Sequence, residues 1–240
     1  MRLSLVGGLV VVTLLIAFGL TRRGGQTSSE AVRSQPPSTR SNSSNVDSVR
    51  IFRSGVRRRI AESDTYLGFA LSEGDSVLKR WRNRSTEPLT VFLSVGTVPG
   101  YSEDLRRVVR DAFTRWERVG AIPVVFQFVR DTAQAEVVVR WIDSFSIRRT
   151  GQADVMWDPD GWLVRGLLTI ATHVNDGRTV SRDVAYTVAL HEIGHLLGLG
   201  HSDDPEDLMY PATSVHDLTP RDRRTARLLY ALPPGPVRDP

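Results

Sequence analysis

Apolar residues between positions 105 and 119 recur every three or four residues, which is the period of a helix that buries one face. The stripe consists of Leu105, Val108, Val109, Ala112, Phe113, Trp116 and Val119. Ser102 can cap the start of this helix, and Gly120 can end it. A stripe of this length needs a sheet to cover it.

Runs of β-branched and aromatic residues predict strands elsewhere, at residues 89–95, 124–129, 136–141, 162–165 and 167–171. Gly166 separates the last two runs. Two further helices are predicted towards the C terminus. One starts near Ser181 or Asp183, and the other follows Thr219, with Pro220 in its first turn.

The first 85 residues show no comparable period. Residues 3–20 are almost entirely apolar, which predicts a cleaved export signal or a retained membrane anchor over residues 1–20. Residues 21–48 are rich in Ser, Thr, Gly, Gln and Pro, which predicts a flexible linker. Residues 49–85 consist of a basic arm at 49–60 followed by a stretch with scattered apolar residues at 61–85. A prosegment, a strap packed on the following domain, an arm that adheres to an anionic surface and a solvated basic arm without a partner all fit this pattern.

Charge is distributed unevenly. The chain has a formal net charge of +4, yet residues 1–60 alone hold ten Arg and only two acidic residues. The rest of the chain therefore carries a small acidic excess, which argues against a domain that binds nucleic acid. Cys is absent, so neither disulfides nor thiolate metal ligands are available.

The strongest local signal is the stretch HEIGHLLGLGHS at residues 191–202. His191 and His195 are one helical turn apart on the same face, so both can reach a single Zn²⁺. Glu192 lies about 100° further around the helix and can act as a general base beside the metal. Gly198 can end the helix and turn the chain, so that His201 becomes a third ligand. Three His ligands leave a fourth position open, as in catalytic zinc sites.

This motif resembles that of the metzincin zinc endopeptidases, and within them the matrixins. Ser202 after the third His, the run at residues 208–211 and the eight-residue interval from His201 to Met209 match the matrixin form. The resemblance implies that Met209 forms a tight turn, the Met-turn, beneath the metal. It implies an α+β, zincin-like catalytic domain over residues 86–232, with a twisted mixed sheet, an active-site helix, a long N-terminal helix and a C-terminal helix. Residues 233–240 would then be a tail.

The function implied by the resemblance is an exported endopeptidase with one catalytic zinc, acting on protein or peptide substrates in the periplasm, outside the cell or at the membrane. The alternative is a non-catalytic zinc-binding adhesion or interaction protein on the same fold. Its usual mark is a lost Glu or His, and Glu192 and all three His are present here. Many matrixins are kept latent by a prosegment Cys, a device that this chain cannot use.

In matrixins an edge strand pairs with the extended substrate, and the resemblance places it at Trp162, Leu163 and Val164. An unpaired edge offers N–H and C=O groups to a peptide, which is the physical requirement for that role. The same resemblance places His216 at the rim of a specificity pocket. Tyr210 is expected to be structural, because Pro occupies the next position, where some other metzincins carry a zinc-binding Tyr.

Residues 143–161 are polar and rich in turn formers, which predicts a loop. Asp154, Asp158 and Asp160 can offer oxygen ligands to Ca²⁺, although carboxylates in surface turns are the commoner explanation of such a pattern. Many animal matrixins hold a second, structural zinc through His and Asp in this region. His173 is the only His nearby and is expected on a surface strand, so we expect that second site to be absent.

Overall fold

A computed structural model describes residues 40–238, with side chains from residue 48 onward. The predicted export signal or anchor, including membrane anchoring through residues 3–20, lies outside the described residues. Residues 21–39 of the predicted linker also lie outside the described residues. Within the described part of the chain, no helix has both the length and the apolar character needed to cross a membrane.

The described elements are five helices and seven strands, with one short 3₁₀ turn at Thr132–Gln134. The helices are α1 (Arg40–Ala61), α2 (Leu67–Glu73), α3 (Glu103–Val119), α4 (Arg182–Leu196) and α5 (Pro220–Ala231). The strands are β1 (Val77–Leu78), β2 (Arg84–Leu93), β3 (Val124–Val129), β4 (Val137–Ile142), β5 (Gly151–Trp157), β6 (Leu163–Ala171) and β7 (Gly235–Pro236).

Five strands form one mixed sheet in the order β3–β2–β4–β6–β5, in which only β5 runs antiparallel to its neighbour. Helix α3 packs on this sheet, where the ring of Phe113 meets Phe126 edge-on at a centroid distance of 5.0 Å. Helix α4 packs beside α3, and the indole N–H of Trp116 donates to the carbonyl of Leu190 at 2.8 Å. The α+β class and the mixed sheet predicted from the sequence are confirmed.

The predicted helix starts are also present. The Ser102 hydroxyl accepts from the Leu105 N–H at the start of α3, and the Ser181 hydroxyl accepts from the Val184 N–H at the start of α4. Thr219 caps α5 with Pro220 in its first turn, as predicted. Each cap satisfies a backbone donor that has no partner within its own helix.

Two strand predictions are wrong. Residues 162–165 and 167–171 do not form separate strands, because β6 runs through Gly166 without a break. Trp162, Leu163 and Val164 are also not at the sheet edge. Leu163 pairs with Trp157 of β5, and its N–H donates to the Arg80 carbonyl at 3.0 Å, so both sides of this segment are occupied.

The strand at this edge of the sheet is β5, which lies inside the stretch that the sequence predicted to be a loop, while β3 forms the opposite edge. Its core-facing positions include Gly151 and Ala153, and its outward positions include Gln152 and Asp154. Small residues on one face and polar residues on the other give little hydrophobic signal. The strand forms because its whole length pairs with β6.

The N-terminal part of the described chain is packed on the domain. Helix α1 begins at Arg40, so the flexible-linker prediction for residues 21–48 is wrong from that residue onward. Tyr66, Leu67 and Leu78 are each at most 3% exposed. Strand β1 pairs with β7, which lies in the predicted tail. We call residues 49–79 the strap, and its buried side chains belong to the same core as the sheet.

Asp222 in the first turn of α5 joins three parts of the fold. Its carboxylate accepts hydrogen bonds from the Tyr66 hydroxyl of the strap at 3.1 Å and from the N–H groups of Leu208 and Met209 at 3.1 and 3.3 Å. It also accepts from the backbone N–H of Thr219 at 2.9 Å. Asp222 is fully buried, so no water can replace this acceptor.

We predict that Asp222→Ala lowers the free energy of unfolding by about 3 kcal/mol or more, because it leaves several buried donors without an acceptor. Asp176→Ala is the matched control: Asp176 is exposed and pairs only with nearby Arg178, so its loss is expected to change stability by less than about 1 kcal/mol. Urea denaturation of both variants measures the difference. Equal midpoints for the two would show that the Asp222 network contributes nothing.

Candidate metal centre

Helix α4 carries the first two histidines of the motif at its buried C-terminal end. His191 and His195 are 0% and 7% exposed, and their Nε2 atoms lie 3.1 Å apart. Ala185, Ala189 and Ile193 on the same helix are also fully buried. This end of the helix is buried, which removes most of the bulk water from the two imidazoles.

Gly198 turns the chain after α4. It has a φ of +98°, and the N–H of Leu199 donates back to the carbonyl of Gly194, which is the hydrogen bond of a Schellman helix end. A Cβ at Gly198 would lie 2.0 Å from the carbonyl oxygen of Lys79. The turn brings His201 back to the helix, so that one ring nitrogen from each of the three histidines lies within 4.8 Å of the others.

Backbone carbonyls orient two of the imidazoles. The Nδ1–H of His191 donates to the Leu208 carbonyl, and that of His195 donates to the Leu199 carbonyl, both at 2.8 Å. A donor at Nδ1 leaves the lone pair on Nε2, which is the form that binds a metal. Burial, together with the neighbouring imidazoles, lowers the pKa of His191 to about 3, and burial lowers that of His201 to about 4. All three rings are therefore neutral near pH 7.

Glu192 lies next to this group without belonging to it. Both carboxylate oxygens are buried, and neither has a hydrogen bond of normal geometry. Burial raises the pKa of Glu192 to about 8, and the nearby Ala153 N–H and Arg149 charge offset that effect only in part. A cation at the histidines would favour the ionised carboxylate and lower this pKa again.

The donor set fits a zinc ion. Nε2 of His201 and both oxygens of Glu192 are buried polar atoms without a hydrogen-bond partner, and native structures rarely leave such atoms unsatisfied. Three neutral imidazole nitrogens are the ligands of a catalytic zinc with one open position. Within the described residues, this is the only cluster of three or more potential metal-ligating side chains.

Met209 lies directly beneath the ligand helix and is fully buried. A Cβ at Gly194, between the two helical ligands, would lie 2.4 Å from the Met209 sulfur. The carbonyl of Met209 accepts from the Ser202 N–H at 2.9 Å, which ties this turn to the residue after the third His. The packing of a thioether against a bare helix backbone explains why a Gly is needed at position 194.

Gly151 was not identified from the sequence, and it lies against Glu192. A Cβ at this first residue of β5 would lie 2.7 Å from Cγ of Glu192, 2.9 Å from its Oε1 and 2.5 Å from Cγ1 of Val188. No local sequence signal marks this residue, because its role depends on a contact between a strand and a helix that are distant along the chain.

The other candidates do not belong to the group of three histidines. His173 binds the Asp143 carboxylate at 2.7 Å, and His216 contacts the Thr187 hydroxyl at 3.1 Å. Trp162 lies against the guanidinium groups of Arg80 and Arg82.

Two of the three predicted calcium ligands accept hydrogen bonds from the protein. Asp154 accepts from the Gln152 amide, and Asp158 accepts from the N–H groups of Asp160 and Trp162. Calcium binding stays a prediction.

Comparison with known proteins agrees with this geometry. The family model described as Peptidase_M10, Matrixin, matches residues 80–231. Metalloendoproteinase 1-MMP of Arabidopsis thaliana is 34% identical over 154 residues, which cover 54% of this chain and 38% of that protein. Metalloendoproteinase 5-MMP of the same plant is 26% identical over 197 residues, 68% of this chain and 51% of that protein.

Human neutrophil collagenase is 29% identical over 185 residues, which cover 71% of this chain and 37% of that protein. The matches to these three relatives therefore cover between 37% and 51% of the relatives' own lengths. The family model covers well over half of this chain, and its range contains all three histidines, Glu192 and Met209. The chain belongs to the matrixin family.

Proposed function

We propose that this chain is an exported, zinc-dependent endopeptidase that hydrolyses peptide bonds in proteins or peptides. The observation that carries the proposal is the buried, unpartnered carboxylate of Glu192 beside three convergent, neutral imidazoles. Export rests on the apolar residues 3–20 alone. A purely adhesive protein would have no need for a buried carboxylate at this position, which costs stability without a compensating contact.

In this proposal His191, His195 and His201 hold the zinc ion. When bound, zinc supplies a Lewis acid that polarises a carbonyl and lowers the pKa of water. Glu192 accepts a proton from the attacking water, whose oxygen bonds to the carbonyl carbon of the scissile peptide. Glu192 then delivers that proton to the amide nitrogen as the C–N bond breaks, so that an acid and an amine are released.

The substrate backbone is proposed to pair with the edge strand β5, and not with residues 162–164. Two observations support this position. β5 is the last strand of the sheet, so its outer side offers unpaired backbone groups. Its first residue, Gly151, lies against Glu192, which brings a peptide on this edge close to the base. An extended substrate in that place would add a strand to the sheet.

We predict that Glu192→Gln lowers kcat/KM for peptide hydrolysis about 10²- to 10⁴-fold, because the amide cannot accept the proton. Zinc content should stay at one ion per chain, since Glu192 is not a ligand in this arrangement. Glu87→Gln, on the exposed side of β2, is the matched control and should keep full activity. Steady-state kinetics with zinc analysis measures both, and an active Glu192→Gln enzyme would contradict the assigned role.

Removal of zinc should also destabilise the fold. A chelator is expected to abolish activity and lower the melting temperature, and added Zn²⁺ should restore both. Zinc at a free concentration 100 times its dissociation constant adds about 2.7 kcal/mol to the free energy of unfolding. His201→Ala should lose most of this zinc-dependent shift, while His173→Ala should keep it, because His173 lies outside the cluster. Calorimetry with and without chelator provides the test.

Gly151→Ala is predicted to lower kcat at least about tenfold, because the added methyl group overlaps Val188 and Glu192 and must displace the carboxylate. Zinc content should not change, since no ligand is touched. Gly55→Ala is the control, because a Cβ there meets no atom within 4 Å. If both variants had the same kcat, Gly151 would have no part in positioning Glu192.

A further inference from the structure

A cavity of about 550 Å³ opens beside His195 and His201. One wall is the inner face of β5, at Ala153 and Val155. The opposite wall is formed by residues 67–79 of the strap, which precede the part of the chain that the matrixin family model matches. This wall therefore lies outside the range of the family model.

The wall is joined to the metal centre by close backbone contacts. A Cβ at Gly200, the residue before the third ligand, would lie 2.7 Å from Cβ of Ala70 in α2. The carbonyl of Lys79 fills the space beside Gly198. The Lys79 ammonium lies 3.8 Å from the ring centroid of Trp157 at the end of β5, and it pairs with Asp75 at 2.7 Å. Residues 67–79 thus span the cavity from the histidine turn to the edge strand.

Contacts with the domain hold the strap at both ends, which argues against its release from the domain. Tyr66 is bonded to Asp222, and β1 pairs with β7. Trp81, directly after the strap, is fully buried and donates to the carbonyl of Leu196 at the end of the ligand helix. If residues 67–79 were displaced from the domain, Leu67 and Leu78, which are now 3% and 1% exposed, would meet water.

The strap side of the cavity is apolar with an acidic rim. Phe69, Leu71 and Val77 contribute apolar side chains, and Phe69 is 37% exposed. Three charged lining residues are in ion pairs, since Lys79 pairs with Asp75 and Asp203 pairs with Arg221. Glu73 is exposed and has no ion pair among the described residues. An apolar side chain next to a basic one is complementary to this surface.

We propose that residues 67–79 remain in the active enzyme and form a substrate subsite beside the metal centre, which takes a large apolar side chain of the peptide and favours a basic residue next to it. This inference rests on the proposed peptidase function. It assigns the strap a role in specificity, with Phe69 as the apolar contact and Glu73 as the source of charge preference.

The test uses the full-length chain and a peptide library in which each position around the cleaved bond is varied. The wild type should prefer a large apolar residue at one position and Lys or Arg beside it. Phe69→Ala should lower kcat/KM about tenfold for peptides with that apolar residue and much less for peptides with Ala there. Val95→Ala, at an exposed apolar residue outside the cavity, should leave the profile unchanged.

Glu73→Lys should make the enzyme prefer Glu or Asp to Lys or Arg at that position, with a change of up to about fivefold in the ratio of the two kcat/KM values. Because the charge is exposed, 1 M salt should remove most of this change. Glu87→Lys is the control, because Glu87 is exposed but does not line the cavity. Mass spectrometry of the active species should find residues 67–79 still present.

The outcomes separate the two proposals. If the wild type cleaves the library but the Phe69 and Glu73 variants leave every positional preference unchanged, the strap subsite is wrong and the peptidase function stands. Active enzyme that lacks residues 67–79 would also overturn the subsite. If the zinc-loaded wild type cleaves no peptide, the proposed function fails and the subsite fails with it.

Discussion

The whole site depends on a helix end that is buried although it carries ionisable side chains. His191, Glu192 and His195 occupy the last two turns of α4, and all three are almost entirely removed from water. Burial at this depth disfavours every charged form, which keeps the imidazoles neutral and raises the pKa of the carboxylate. The arrangement is stable only if the rest of the fold supplies partners for the polar groups.

Much of the surrounding structure supplies those partners. Two backbone carbonyls hold the imidazoles, and the carbonyls at the end of α4 accept from the indole of Trp81 and the hydroxyl of Tyr230. Asp222 fixes the turn that contains Met209 and also binds Tyr66 of the strap. The strap, the turn that contains Met209 and α5 therefore share one buried carboxylate, and Leu208, which donates to that carboxylate, also accepts from His191.

The sequence predicted those parts whose signal is local. The apolar stripe of α3, the caps at Ser102, Ser181 and Thr219, and the ligand spacing in α4 are set by residues a few positions apart. The edge strand was missed because Gly151 and Ala153 carry no hydrophobic signal, and their strand exists only through pairing with β6. The sequence does not distinguish between the alternatives for the strap for a related reason, since Tyr66 and Leu78 are buried by partners more than 150 residues away. Contacts of that kind cannot be obtained from periodicity.

The central claim is that three neutral imidazoles hold one zinc and leave a position open beside Glu192. X-ray absorption at the zinc edge, on full-length protein loaded with one equivalent of metal, tests it most directly. We expect about three imidazole nitrogen ligands at 2.0–2.1 Å together with one exchangeable oxygen ligand. A first coordination sphere made of carboxylate and water oxygens alone, or a fourth histidine that closes the site, would contradict this account.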